Sequence, residues 1–403
     1  MHPLRPTLLL MWCGLLAVPA AGQTPRPLTR SQAGDEALAR SPRLRLAGSD
    51  TARAVAALRT ASLFPDPSLS LAWSRSAPSY HASLELPLDL PWLRSSRINA
   101  ATFGQAGSRW RFAFERAATQ LEADTAYTRA LAAREQWRLS ARNADATDSL
   151  RGIAEQRRDA GDASELEVQL AVIVAGQQRN RAVADSLAYD DARLALQAAL
   201  GIADGAIVVE PADSFLPPPP FVAPAAGTPL LVAAAEADVA AAAAGALFAR
   251  RSALGAPSLT AGFERGDPDM PGTLPTVGIS LPLPLVNRNR GGVATAEAER
   301  QRAEATAAAV RVESGNALAR AIRAERIAMT LVARDAALLQ AADRVSLMGR
   351  TAYREGAATL ASVLEAERNA RDVRTQYLID LAGAWIARGV VRLLSESTTP
   401  GTP

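Results

Sequence analysis

The chain has 403 residues, with Lys+Arg 44 against Asp+Glu 41 and a net charge of +3; outside His2 and His81 every basic residue is arginine. That near balance offers a nucleic-acid partner no basic footprint. Hydrophobic residues reach 48% with only 5% aromatic, and much of that share is alanine, which favours long helices over several compact cores.

Arg5, an apolar run over residues 8–16 and the small-residue stretch Val18-Pro19-Ala20-Ala21-Gly22 read as a secretory signal peptide over residues 1–22, cleaved after Ala20 or Gly22. The run is too short to cross a bilayer, which takes about 20 apolar residues. Cys13 follows Trp12, where a lipid-anchoring signal wants a small residue, so it is not read as an anchor. Loss of the signal removes His2 and the single cysteine. His81 alone makes no His/Cys zinc site, no thiol nucleophile and no redox pair, and there is no Walker loop or dinucleotide glycine fingerprint. The reading is a non-enzyme with no cofactor and no metal site, working outside the cytoplasm without disulfides. Residues 233–248 are apolar, but Glu236 and Asp238 interrupt them, so no later helix is read as membrane-spanning.

The mature chain repeats itself. Leu86-Pro87-Leu88-Asp89-Leu90 returns as Leu281-Pro282-Leu283-Pro284-Leu285, 195 positions later, and Gly161, Ser164, Val168 and Ala171 return at the same offset as Gly356, Thr359, Val363 and Ala366. Pro67-Ser68-Leu69-Ser70 is echoed by Pro257-Ser258-Leu259-Thr260. Residues 23–200 are thus a first repeat, with a β-hairpin at 67–90 and a helical hairpin whose tip is at 161; residues 228–394 are a second, with a hairpin at 257–285 and a tip at 356. Residues 201–227 are an equatorial linker and 395–403 a disordered tail.

Within the hairpins apolar residues alternate with small and polar ones. Leu69, Leu71 and Trp73 oppose Ser68, Ser70 and Ser74; Leu84, Leu86 and Leu88 oppose Ser83 and Glu85. Leu259, Ala261 and Phe263 oppose Ser258, Thr260 and Glu264, and Val277, Ile279, Leu281 and Leu283 oppose Gly278 and Ser280. A half-buried soluble sheet alternates in the same way, but small and ionisable residues on the second face of all four strands suit a face turned to a water-filled lumen. Residues 75–80 and 265–275 join the strands. Residues 99–158 and 292–354 read as long helices, with Ala296, Ala303, Val310, Ala317, Ala324, Leu331, Leu338, Val345 and Ala352 recurring every seventh residue as a packing seam, and Ala118, Thr125, Ala132, Leu139, Ala146 and Ile153 doing so in the first. Helices over 164–200 and 229–254 end to end match one long helix in length, as do 359–394 and 42–63. Four strands cannot close a membrane barrel, whose smallest natural examples have about eight, so several copies must pool theirs.

The order of elements, the duplicated halves, the approach of Leu281-Pro-Leu-Pro-Leu285 to Asn287-Arg-Asn-Arg-Gly291 and the glycine turns resemble the TolC family of outer membrane efflux proteins, over nearly the whole mature chain. This resemblance implies a mainly α fold with a small membrane β part: duplicated long helical hairpins forming a trimeric α-barrel tunnel in the periplasm, topped by a 12-strand β-barrel in the outer membrane with 4 strands per chain. It implies a passive conduit for small molecules or metal ions, recruited by a periplasmic adaptor (membrane fusion protein) and an inner-membrane efflux pump. The compact length and plain loops lean toward the CzcC-like heavy-metal efflux branch.

Two sets of residues carry over from the family pattern. The helix-turn tips, where the adaptor docks, fall on Gly161, Ser164 and Val168 and on Gly356, Thr359 and Val363; good turns alone would use the same residues. The periplasmic gate falls on Glu365, with Ser362 where many relatives have a second acid, and on Glu167 and Tyr353, which brace the closed tip. An arginine often paired with them is replaced by Ala358, and a solvated helix charge is the plainer account of Glu365. The competing reading is a periplasmic coiled-coil adaptor or scaffold, which shares the long helical hairpins but leaves the apolar strand faces unexplained.

Overall fold

The computed structural model describes residues 26–203, 208–220, 227–282 and 288–398. The signal peptide at 1–22, the second half of the repeated 281–285 motif and residues 399–403 lie outside the described residues. In chain order the elements are β1 (Arg26–Leu28), α1 (Arg30–Arg40), α2 (Pro42–Ser62), β2 (Ser68–Trp73), β3 (Tyr80–Pro87), α3 (Pro91–Asp159), α4 (Glu165–Ala199), β4 (Val209–Pro211), α5 (Leu230–Arg251), β5 (Ser258–Arg265), β6 (Thr273–Ser280), α6 (Arg290–Arg354) and α7 (Leu360–Ser395).

Helices α3 and α6 have 69 and 65 residues and run about 100 Å at 1.5 Å per residue. Each is flanked by shorter helices in two tiers. Toward the sheet α3 packs on α2 and α5; away from it, on α4 and α7, while α6 packs first on α5 and then on α7. The extra turns at the start of α3 were not anticipated from sequence, because Pro91 and the serines behind it resemble a linker. Proline in the first turn costs no hydrogen bond, since that N–H has no helical partner anyway.

The two hairpins join. β3 pairs antiparallel with β5, giving one four-stranded sheet in the order β2-β3-β5-β6. β6 begins at Thr273, so Pro275 lies within the strand and not in the loop expected at 265–275; a proline is tolerated there because β6 is a sheet edge.

Two expectations are corrected. The seven-residue row of α6 is not the internal seam: Leu331, Leu338 and Val345 are 39%, 51% and 44% exposed, and the side chains buried inside the chain are instead Ala321, Glu325, Val332, Ala342, Ser346 and Tyr353. α6 lies at one edge of the helical layer and carries a second apolar stripe that nothing in a single chain covers. Residues 396–398, expected in a structureless tail, are bonded to the start of α5: Leu230 N–H donates to the Glu396 carbonyl (3.2 Å) and Thr398 N–H to the Thr228 carbonyl (3.0 Å).

At mid-height a knot ties the linker to both repeats. β1 and β4 pair in parallel over a core of Leu28, Tyr127, Leu131, Leu196, Leu200 and Val209. Arg134 donates to the carbonyls of Pro211 and Asp213, Trp385 Nε1 to the Leu216 carbonyl (2.8 Å), and Arg388 to the Pro219 carbonyl and the buried Glu325. The Tyr127 hydroxyl lies 2.8 Å from the Asp213 carboxylate and 3.0 Å from the Leu28 carbonyl, and accepts from Asp213 N–H. Burial pushes its pKa up to about 12.

Tyr127→Phe keeps the ring and removes those bonds, so the thermal midpoint should fall by the equivalent of about 1–3 kcal/mol. Because the folded pKa is raised, the phenol's contribution is complete below the unfolded value of 10 and is lost as pH rises from there to about 12. A melting series across that window should show the alkaline loss in the parent protein and not in the variant.

Candidate functional site: a two-faced sheet and paired helix tips

The registers of the three strand pairs share one parity. Leu69 lies opposite Leu84, Trp73 opposite Tyr80, Leu86 opposite Leu259, Leu259 opposite Ile279, and Ala261 opposite Val277. The other face pairs Ser70 with Ser83, His81 with Glu264, Glu85 with Thr260, and Ser258 with Ser280. One sheet therefore has a continuous apolar face and a continuous polar one. The apolar face is uncovered: Leu71, Val277 and Ile279 are 72%, 81% and 75% exposed. On the polar face Ser258 donates to Glu85 (2.5 Å), and His81 Nδ1 lies 3.4 Å from Glu264. A sheet this greasy on one side and wet on the other fits the wall between lipid and an aqueous lumen.

At the far end of the helices both hairpins reverse by the same device. Gly161 and Gly356 adopt positive φ (84° and 76°), the region glycine enters without a Cβ penalty. Asp162 N–H bonds back to the Arg157 carbonyl and Gly161 N–H to that of Arg158; Ala357 and Gly356 repeat the pattern on Ala352 and Tyr353. Ser164 and Thr359 then cap α4 and α7, each accepting from an N–H three residues on, Glu167 and Ser362. Open space surrounds the Cα of Gly161, so φ alone dictates glycine there.

The remaining candidates divide. Val168 and Val363 are buried with Leu150, Ala154, Ala171, Tyr353 and Leu360 in a core shared by both tips, so they support the turns from beneath and offer no surface of their own. Glu167 and Tyr353 do come together: burial first, and the Glu167 carboxylate second, raise the phenol's pKa, although no described group makes a well-formed hydrogen bond to its hydroxyl. Ser362 serves the Thr359 cap. Glu365 is exposed, with the Asn369 amide 3.5 Å from its carboxylate.

Two features were missed from sequence. Glu367, two residues on, is buried and neutralised, 2.7 Å from Ser346 Oγ and 3.1 Å from Arg350 Nε. Arg157 reaches from the first hairpin to the second, donating to the Tyr353 carbonyl (3.0 Å) with its guanidinium 4.9 Å from the centre of the Tyr353 ring. A basic residue in a last helical turn is too common to flag either contact.

The family model for outer membrane efflux proteins matches residues 33–202 and 228–388, which are the two repeats. The chain belongs to the outer membrane efflux protein family. Solved structures with the same fold include CusC, described with its folding and transmembrane channel formation (17% identity, 92% of each chain, TM-score 0.76). VceC of Vibrio cholerae (18%, 91% of this chain and 96% of that one, 0.75) and the CmeC outer membrane channel of Campylobacter jejuni (16%, 97% and 94%, 0.76) share it too. No curated protein sequence matches this chain. As a member of the efflux protein family it is a channel protein of the outer membrane, and its two-faced sheet is the part with the chemistry to meet lipid.

The faces can be told apart by charge. Leu84→Arg puts a cation on the apolar face and should cost about 2–4 kcal/mol of membrane-inserted stability, whereas Ser83→Arg, one residue away on the polar face, should be nearly neutral. Refolding yield into lipid vesicles reads the difference.

Proposed function

We propose that three copies of this chain form a passive conduit from periplasm to exterior, docked by a periplasmic adaptor and supplied by an inner-membrane pump. The observation that carries the proposal is the pair of sheet edges, β2 and β6, that no described strand pairs, beside an exposed and largely apolar face. Unpaired backbone groups in hydrocarbon cost several kcal/mol each, so β6 of one copy must find β2 of the next. The helices support the same association. On one side of the layer α4 exposes Leu166, Ile173, Leu187 and Leu194, and on the other α6 exposes Leu331, Leu338 and Val345. A head-to-tail contact of this kind closes into a ring where the rotation from copy to copy adds up to a full turn, as three copies would require. Three chains give twelve strands, above the minimum of about eight.

The adaptor would grip the exposed turns at Gly161, Ser164, Gly356 and Thr359, with Val168 and Val363 holding them in shape. Glu365 would form a ring of three carboxylates at the mouth, favouring cations; Glu367, held by Arg350, takes no part. Among the described residues no group of three or more His, Cys, Asp or Glu could hold a metal ion. Choice of a small molecule or a metal ion as cargo would therefore rest with the pump. A soluble scaffold, the competing reading, leaves the apolar face without cover.

Single-channel recording of the purified protein in a planar bilayer tests the conduit: discrete conductance steps support it, and a protein that stays monomeric and never conducts refutes it. Glu365→Gln should reduce the cation preference, read as a smaller reversal potential in a salt gradient. Proline cannot adopt the positive φ of the tips, so Gly161→Pro or Gly356→Pro should abolish crosslinking to the adaptor while trimers persist.

A further inference from the structure

We infer that the two sheet edges meet between copies in one defined register, with Ile279 of β6 opposite Leu71 of the next copy's β2 and Val277 opposite its Trp73. This rests on the association of copies proposed above and adds which residue meets which. The internal repeat supplies the rule. β5 repeats β2 at an offset of 190 positions, Pro67-Ser68-Leu69-Ser70 against Pro257-Ser258-Leu259-Thr260, and β6 repeats β3 at 195, Leu86 against Leu281. The registers obey those offsets without a slip. Leu69 opposite Leu84 becomes Leu259 opposite Ile279, Leu71 opposite Ala82 becomes Ala261 opposite Val277, and Ala72 opposite His81 becomes Gly262 opposite Thr276; the sheet forms all of these pairs. The two hairpins are therefore one structure made twice, and β3–β5 is the join from the first to the second. The join from the second hairpin to the first one of the next copy, β6 to β2, is the same step repeated. Carried through the same offsets, the pairs Leu84–Ala261, Ala82–Phe263 and Glu85–Thr260 give Ile279–Leu71, Val277–Trp73 and Ser280–Ser70.

Observations independent of the repeat agree with this register. It sets apolar residues against apolar ones and small polar residues against small ones, so both faces of the sheet run on into the next copy. It also matches the backbone groups left over at each edge. Ser74 N–H donates to the Ser79 carbonyl (2.9 Å) and Leu88 N–H to that of Pro257 (2.8 Å). Directions alternate along a strand, so Leu69, Leu71 and Trp73 turn their N–H and C=O away from β3, and Val277 and Ile279 turn theirs away from β5. The inferred pairs join these outward groups. Pro275 has no N–H to give and falls opposite Arg75, past the end of β2 at Trp73. A slip of two residues in one direction would set it against Trp73, where a donor is needed. The helices follow the same step. Leu331 and Leu338 of α6 repeat Gln136 and Asn143 of α3, which line a trough with Arg371 and Thr375 of α7. α7 repeats α4, so the step brings the next copy's α4 to the exposed row of α6.

The register is read by disulfide crosslinking of the full-length protein in a Cys13→Ser background. β2 and β6 stand three strand spacings apart within one sheet, about 14 Å, so a disulfide between them joins copies. In the inferred register Ser70 and Ser280 form a pair without backbone bonds between them, where Cα atoms approach to about 4.5 Å; a residue two positions off lies about 7–8 Å away, too far to bridge. On oxidation, Ser70→Cys with Ser280→Cys should lose its monomer band to covalent dimer and trimer on a non-reducing gel. Ser74→Cys with Thr276→Cys, the next pair of this kind, should do the same. Ser70→Cys with Gly278→Cys and Ala72→Cys with Ser280→Cys, each slipped by two, should keep the monomer band. Native mass in detergent is measured on the parent and on each variant before oxidation. Linking by a slipped pair in place of the matched ones would overturn the register, as would trimers in which neither matched pair links. A parent with the native mass of one chain would instead defeat the association of copies itself, a failure the mass shows without reference to any crosslink.

Discussion

Lipid has no hydrogen bonds to offer, and this organises the molecule. A four-stranded sheet with an uncovered apolar face belongs against hydrocarbon, yet its two outer strands each leave a row of N–H and C=O groups unpaired. In water such edges are a liability; in a bilayer they are untenable. The helical layer beneath has its uncovered edges on the same two sides: α2 and α4 descend from the β2 side, and α6 from the β6 side. One association of copies would satisfy the sheet and the helices together, so the demand made by a few dozen strand residues dictates how over two hundred helical residues are arranged.

Alanine makes the long helices possible but gives them little to hold each other with. Small side chains allow close approach, as where Gly107 of α3 lies against Ala234 and Asp238 of α5, but each buries little area. Arginine compensates. Arg134, Arg388, Arg157, Arg97 and Arg251 each donate to a main-chain carbonyl on a different element, and Arg30 stacks on Trp385 with its guanidinium 3.8 Å from the ring centre while pairing with Asp124. A rigid fork with five donors can tie two or three oxygens at one point, which an ammonium on a flexible stem does poorly. A chain without a lysine is well suited to this use.

What sequence revealed was what short-range physics dictates. Period-two alternation placed Leu69, Leu84, Leu259 and Val277 on one face, and the registers agree. Glycine followed by Ser164 or Thr359 located both tips, because positive φ and an N-cap are demands of a few adjacent residues. Sequence could not reveal which elements meet at long range. The β3–β5 pairing crosses from one repeat to the other, and nothing local in Ala82 or Phe263 announces it. α6 carries two seven-residue rows, one through Leu331 and Leu338 and one through Glu325, Val332 and Ser346. The greasier row reads as the inner seam, but the inner seam tolerates Glu325 and Ser346 because Arg388 and Glu367 meet them. Val168 and Val363 follow the turn glycines closely enough to look like surface residues and are instead buried beneath the turns.

The two ends of the chain thus solve different problems with different means. At the sheet, specificity is a matter of face: alternate residues are apolar and exposed, and the other half, mostly small or ionisable, leaves a wet surface. At the tips, it is a matter of rigidity. The two glycine turns, Gly161 in open space and Gly356 with the Arg157 guanidinium beside it, would be loose on their own, since each is held locally by a few backbone bonds and a cap. Fused through Tyr353 and Arg157 into one core, they present a stiff double prong. A partner that binds a stiff surface loses less entropy than one that must order it, so under the proposed docking the residues beneath the turns would matter to recognition although they never reach the surface.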